Sequence, residues 1–172
     1  MFTIRDETPD DYVAIRNVNR LAFGGDAEAK LVDLLRIDRS VIISLVAEEE
    51  GQVIGHILFT ELPIETTEGM IRGAALAPMA VLPARQRQGV GSALVRAGLD
   101  WCRAARVAVV AVVGHPDYYP RFGFSAERAL CLQSPYSGSA FMALELEPGI
   151  FSGVGGIAKY PRAFAELDSS AA

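Results

Sequence analysis

A single α+β domain is the fold class this sequence predicts, and three patterns carry the prediction. Two β-branched runs, residues 41–47 and 53–62, flank Glu50-Gly51-Gln52, a turn short enough to make them an antiparallel hairpin. Residues 71–113 then read as a strand, helix, strand unit, and two helical patterns come before the hairpin. With 51% hydrophobic and 22% charged residues, the 172-residue chain can bury a core of its own. One domain over residues 1–172 accounts for everything, with a core at 1–147 and a tail at 148–172 packing on it.

The elements follow in order. Residues 2–5 alternate apolar and polar and predict a short strand. Thr8-Pro9-Asp10-Asp11 is a helix start with proline in an early position. The helix behind it has Tyr12, Ile15, Val18 and Ala22 as its inward stripe and ends at Gly24-Gly25. Residues 26–35 give a second helix through Leu31, Leu34 and Leu35. After the hairpin, residues 65–69 read as a polar loop. The apolar run at 71–82 contains Pro78 and is followed by Pro83, neither of which can donate a ladder hydrogen bond, so this strand must have a gap in its pairing.

Val90, Leu94, Gly98 and Trp101 recur at helical spacing, and residues 107–113 are an almost unbroken β-branched run, as a strand covered on both faces should be. Residues 117–123 predict a short helical turn ending in glycine. Residues 139–146 predict a late strand, and 149–164 a glycine-rich tail with Tyr160 and Phe164 available to pack.

Charge and composition exclude several functions. Sixteen Lys and Arg against twenty-one Asp and Glu leave a net charge of −5, which gives no global field for gathering nucleic acid or anionic lipid. Neither partner is expected. The opening MFTIRDETPDD has charges where a signal peptide needs an apolar stretch, and Arg103 and Arg106 cut the apolar run at 107–113 off from the helix before it. A cytoplasmic protein is the expectation. Cys102 and Cys131 have no CxxC spacing and no nearby histidine, so they read as reduced thiols rather than metal ligands.

The stretch ARQRQGVGSALV, residues 84–95, opens a helix directly after a strand. The first N–H groups of a helix have no intrahelical partners and carry a partial positive charge, and glycines let an anion approach them. The plainer alternative is that Gly89 and Gly91 only allow the helix to pack closely on the sheet. A nucleotide-phosphate loop of the GxxxxGK type is excluded because no lysine is near. A dinucleotide GxGxxG fails because Leu94 takes the third glycine place and no acidic residue follows about 20 positions on. What remains is Gln-x-x-Gly-x-Gly, which Gln86, Gly89 and Gly91 satisfy.

That pattern resembles the pyrophosphate loop, Q/R-x-x-G-x-G/A, of the GNAT superfamily of acetyl-CoA-dependent N-acetyltransferases. The segments LAPMAVLPARQRQGVGSALV, VVGHPDYYPRFGF, IGHILF, AFMALEL and KYPRAF are similar to its YhbS-like branch, and the likeness covers most of the chain. The resemblance implies an acyl-CoA N-acyltransferase fold: a mixed, mostly antiparallel twisted sheet flanked by helices, with a V-shaped splay between the two central parallel strands. It implies acetyl-CoA as co-substrate and, as acceptor, a primary amine on a small molecule or protein terminus. Dimers are common in this superfamily, so a homodimer is compatible with it.

The resemblance also assigns residues. Met79, Ala80 and Val81 match the places that pair with the pantetheine arm. Gln86, Arg87, Gln88, Gly89, Val90, Gly91 and Ser92 match the pyrophosphate loop, with Arg85 and Arg87 adding charge nearby. The Met79 amide matches the donor to the thioester carbonyl, and Tyr119 the tyrosine of Y-x-x-x-G-F that protonates the leaving thiolate. Tyr118 is the candidate if the register slips by one.

The base has no such match, because residues 76–81 carry no titratable side chain. His115, in the loop after the strand at 107–113, is a candidate base, since a histidine changes charge near neutral pH. His56 reads as a hydrogen-bonded structural histidine, Glu48 and Glu61 could act through a water, and the enzyme could instead bind amine that is already neutral. A catalytically silent acyl-CoA-binding sensor or accessory protein is the alternative function.

Overall fold

Glu50 and Gly51 have φ values of 51° and 76°, the left-handed pair that matches a two-residue hairpin loop to the twist of its strands. They join β2 (Val41–Glu49) to β3 (Gln52–Glu61) in a ladder that ends on Glu49 opposite Gln52. The computed structural model describes residues 1–170, with side chains as far as Leu167. Around that hairpin lie β1 (Thr3–Asp6), β6 (Gly73–Val81), β7 (Val109–Val113) and β9 (Phe141–Glu145), in the spatial order β1-β2-β3-β6-β7-β9. Within this sheet, among the described residues, only β6 and β7 pair in parallel. The fold is therefore α+β with a mixed, mostly antiparallel sheet, as expected.

Helices cover both faces. The crossover helix α3 (Val90–Ala104) packs on one face, where a Cβ on Gly98 would lie 2.2 Å from the Phe59 ring, so glycine alone lets the helix sit that close. Helices α1 (Tyr12–Phe23) and α2 (Ala27–Ile37), with the C-terminal α4 (Ala163–Ser170), pack on the other. Alternation along β3 divides the core between them: Ile57 and Phe59 face α3, while Leu58 faces Leu35, Val46 and Phe164.

Several expectations need correction. The polar loop at 65–69 is a hairpin of β4 (Ile64–Thr66) and β5 (Gly69–Ile71). β10 (Gly156–Ala158), from the glycine-rich tail, pairs antiparallel with β4 and parallel with β8 (Leu132–Gln133), giving a second sheet ordered β5-β4-β10-β8. Strands this short carry no periodic signal, and Gly156 is there because a Cβ would lie 2.4 Å from Ile64. Tyr12 leaves the inward stripe: it is 41% exposed, with the Arg36 guanidinium 4.0 Å above its ring. Asn19 takes a buried place on that helix face instead. Trp101 is likewise half-exposed, and Val95, Leu99 and Cys102 complete the buried face of α3.

Cys102 is buried, its thiol pushed up to about 12 by desolvation, and neither cysteine is in a disulfide. Among the described residues no helix is long and apolar enough to cross a membrane.

Candidate active site

The gap forced by Pro78 is a bulge. Between the pairs Phe59 with Leu76 and Ile57 with Met79, Leu58 alone faces both Ala77 and Pro78. Beyond it β6 stays on β3, with His56 opposite Ala80 and Gly55 opposite Val81. On its other side the parallel ladder runs from Gly73 opposite Val109 to Leu76 opposite Val112 and stops. The two central strands therefore part after Leu76. Met79, Ala80 and Val81 have no strand opposite on the β7 side, which leaves backbone groups there needing partners.

The loop that follows closes one end of this gap. A 3-10 turn at Pro83–Arg85 leads to Gln86, whose Nε2 donates to the Val81 carbonyl at 3.1 Å and ties the loop to the end of β6. Arg87 and Gly89 adopt left-handed φ values of 61° and 87°. The Ala93 N–H then bonds the Gly89 carbonyl at 3.0 Å, and the preceding N–H groups have no carbonyl one turn earlier within the helix.

The two glycines serve different ends. A Cβ on Gly89 would meet nothing within 4 Å, so glycine is wanted there for its backbone angle; a Cβ on Gly91 would lie 3.0 Å from the Tyr118 hydroxyl and 3.2 Å from the Met79 sulfur. Close packing thus explains Gly91 but not Gly89.

An aromatic turn closes the gap from below. The His115 carbonyl accepts from the N–H groups of Tyr118 and Tyr119 at 3.0 and 3.4 Å, and a 3-10 turn at Tyr119–Phe122 ends at Gly123 with φ 95°. The Tyr119 ring presses on the backbone of Gly114, where a Cβ would lie 2.2 Å away, and meets Tyr118 and Phe124 edge-on at 5.1 and 5.7 Å. Burial, reinforced by Tyr118, raises its phenol well above the ordinary tyrosine value, so it holds its proton throughout the neutral range. Tyr118 lies nearer the loop, its hydroxyl 3.4 Å from Ser92 Oγ and its ring 4.3 Å under the Arg121 guanidinium.

These parts share one cleft of about 1090 Å³. Met79, Ala80 and Val81 line it from β6; Gln86, Arg87, Gly89, Gly91 and Ser92 from the loop; His115, Tyr118 and Tyr119 from the aromatic turn. Two expected loop residues are not in the lining. The Gln88 side chain is exposed and donates to the Ala84 carbonyl at 2.9 Å, and Val90 is buried in the core. Arg85 is also turned away, paired with Glu49 at 2.6 Å.

Of the candidate bases, His56 is fully buried outside the cleft. It is held by Asn19 at Nδ1 (3.1 Å) and Ser44 at Nε2 (3.0 Å), and burial, with Arg36 adding to it, lowers it to about 3. It is a structural residue. Glu48 pairs with Arg5 at 2.6 Å, and neither it nor Glu61 lines the cleft.

The opposite end of the cleft was not foreseen. Phe23 from α1 and Glu28 from α2 line it, with Tyr136, Tyr160 and Phe164 from the chain beyond β8. Those three rings stack as a cluster, Tyr160 lying 4.9 Å from Tyr136 and 5.1 Å from Phe164. The spare aromatics at 160 and 164 were the available signal; nothing in the sequence pairs them with residues 23 and 28.

A family model described as acetyltransferase (GNAT) family matches residues 12–124. The N-acetyltransferase YhbS of Escherichia coli (strain K12) is 37% identical over 164 residues, spanning 94% of this chain and 97% of its own. Among solved structures, Escherichia coli YhbS in complex with CoA superposes with a TM-score of 0.86 at 36% identity, covering 95% of this chain and 92% of that one. A GNAT family acetyltransferase from Brucella melitensis in complex with acetyl-CoA gives 0.79 at 36% identity, covering 95% and 98%.

Proposed function

The chain belongs to the acetyltransferase (GNAT) family, and from that premise we propose that it moves the acetyl group of acetyl-CoA directly onto a primary amine of a small molecule or protein terminus. The observation that carries this reading is the parting of β6 from β7 beside a helix start with free N–H groups. The pantetheine arm takes the place of the missing strand and bonds the open side of Met79, Ala80 and Val81, as a peptide does in β-augmentation. Its diphosphate sits on the N–H groups from Arg87 to Ser92, and Arg87 adds charge.

Each chemical role then has a group. The neutral amine attacks the thioester carbon, and the Met79 N–H donates to the oxygen as charge develops there, a fixed dipole that needs no reorganisation. The carbon–sulfur bond breaks as the carbon–nitrogen bond forms. Tyr119 gives its proton to the departing thiolate. The thiolate leaves in the same desolvated pocket that raises the phenol: burial makes Tyr119 a weaker acid but the thiolate a stronger base, so the two shifts oppose one another in the transfer. His115 takes the proton released by the neutral amine and solvent returns one to the Tyr119 phenolate, so this step frees no net proton; an acceptor that arrives as its ammonium ion first gives one proton to solvent.

Replacing Tyr119 with Phe tests the assignment: thiol release from acetyl-CoA should fall about a hundredfold or more, while the dissociation constant for acetyl-CoA stays within about twofold. An unchanged rate removes Tyr119 from the mechanism. The lack of a titratable side chain at residues 76–81 favours a second reading, a silent acyl-CoA-binding sensor or accessory protein. It predicts tight acetyl-CoA binding with no turnover on any amine.

A further inference from the structure

Glu28 is a half-buried carboxylate in the wall of the cleft, and among the described residues it has no ion pair. It precedes Leu31 by one helical turn on α2, and Leu31 packs into the cluster containing Tyr136, Tyr160 and Phe164. The basic side chains of the cleft lie elsewhere. Arg87 is in the loop, and Arg121 covers Tyr118, whose hydroxyl meets Ser92 at the start of α3. Among the described residues, the end beyond the splay therefore offers one negative charge without an ion pair, four aromatic rings counting Phe23, and no cation to receive a carboxylate.

We infer that the acceptor is a hydrophobic primary amine without a carboxylate, drawn in as its ammonium ion by Glu28 and held by its apolar body against Phe23 and the Tyr136, Tyr160, Phe164 cluster. The inference rests on the acetyltransferase reading of the same cleft and names the substrate class for it. An ammonium between a carboxylate and ring faces gains from both, and the pairing is stronger out of bulk water. An amino acid of the same size would bring a second charge that finds only Glu28, a like charge, at that end. A polyamine would satisfy Glu28 and leave the rings uncovered.

The test separates binding from turnover. Protein saturated with CoA is titrated with phenethylamine, with phenylalanine and with putrescine, and amine binding is followed by NMR. Phenethylamine is expected to bind at least about tenfold more tightly than either of the others. Glu28→Gln should weaken that binding about tenfold, and Glu28→Lys should turn the preference toward phenylalanine, with CoA affinity unchanged in both. Equal or tighter binding of phenylalanine or putrescine by the wild type, or no effect of Glu28→Gln, overturns the inference. Thiol release from acetyl-CoA is read in parallel: phenethylamine that binds through Glu28 and is never acetylated supports the substrate class and defeats the acetyltransferase mechanism instead.

Discussion

The loop end of the cleft comes from one continuous stretch, residues 76–92, in which a proline bulge, a glutamine tether and a left-handed glycine set the backbone. Its far end draws Phe23 and Glu28 from α1 and α2 and Tyr136, Tyr160 and Phe164 from beyond β8, segments that meet only when the chain is folded. The first end presents backbone amides, the second side chains. A grip made of backbone suits a cofactor whose diphosphate and amides are always the same. A grip made of side chains can be altered by substitution without disturbing the amides, which is why the acceptor specificity proposed above is assigned to that end.

The comparison breaks if damage at one end spreads to the other. Gly89→Asp should have the largest effect, because it forces a side chain into a left-handed conformation and sets a carboxylate beside the expected diphosphate. Calorimetry should show the acetyl-CoA dissociation constant raised about a hundredfold, with phenethylamine binding nearly unchanged. The fold should survive, since no atom lies within 4 Å of the new Cβ.

His115→Gln comes next. It should lower kcat by about tenfold with the acetyl-CoA dissociation constant unchanged, because the residue proposed to take the amine proton is gone. Neither protein should lose activity on the alkaline side below about pH 10, since burial raises Tyr119 and keeps it protonated there. Phe23→Ala, at a position 46% exposed, should weaken phenethylamine binding by about threefold to fivefold and leave acetyl-CoA affinity and thermal stability alone.

A last substitution, which leaves both binding and turnover at neutral pH alone, sharpens the comparison from the scaffold side. His56 joins Asn19 of α1, the helix that also carries Phe23, to the sheet, and stays neutral in the folded protein down to about pH 3. Below its ordinary value of 6.5 the unfolded chain takes up a proton that the folded chain refuses, so stability falls as pH drops from 6.5 toward 3. The slope from this group is at most about 1.4 kcal/mol per pH unit. The unfolding free energy from urea titrations across that range should lose up to that much of its slope in His56→Gln.

The same division explains what could be read in advance. Pro78 inside an apolar run was enough to require a gap in the ladder, and Gln86, Gly89 and Gly91 were enough to suggest an anion at a helix start, because local backbone geometry depends on local residue type. Tyr119 came from the resemblance to the GNAT family, through its match with Gly123 and Phe124 to the Y-x-x-x-G-F element. Glu28 was invisible for the opposite reason: a glutamate in the first turn of a helix reads as a solvated face until the rings packed beside it are known. Arg85 looked available for phosphate, and only the fold brings Glu49 to it. The strands β4, β8 and β10 are two or three residues long and exist through mutual pairing, so no period announces them.

A crystal structure with acetyl-CoA bears most directly on the paired grip of split strand and helix start. The account predicts the diphosphate within hydrogen-bond distance of the N–H groups between Arg87 and Ser92, the pantetheine amides alongside Met79 and Val81, and the sulfur facing Tyr119. A diphosphate bound elsewhere, or a pantetheine arm that leaves the gap between β6 and β7 empty, would contradict it.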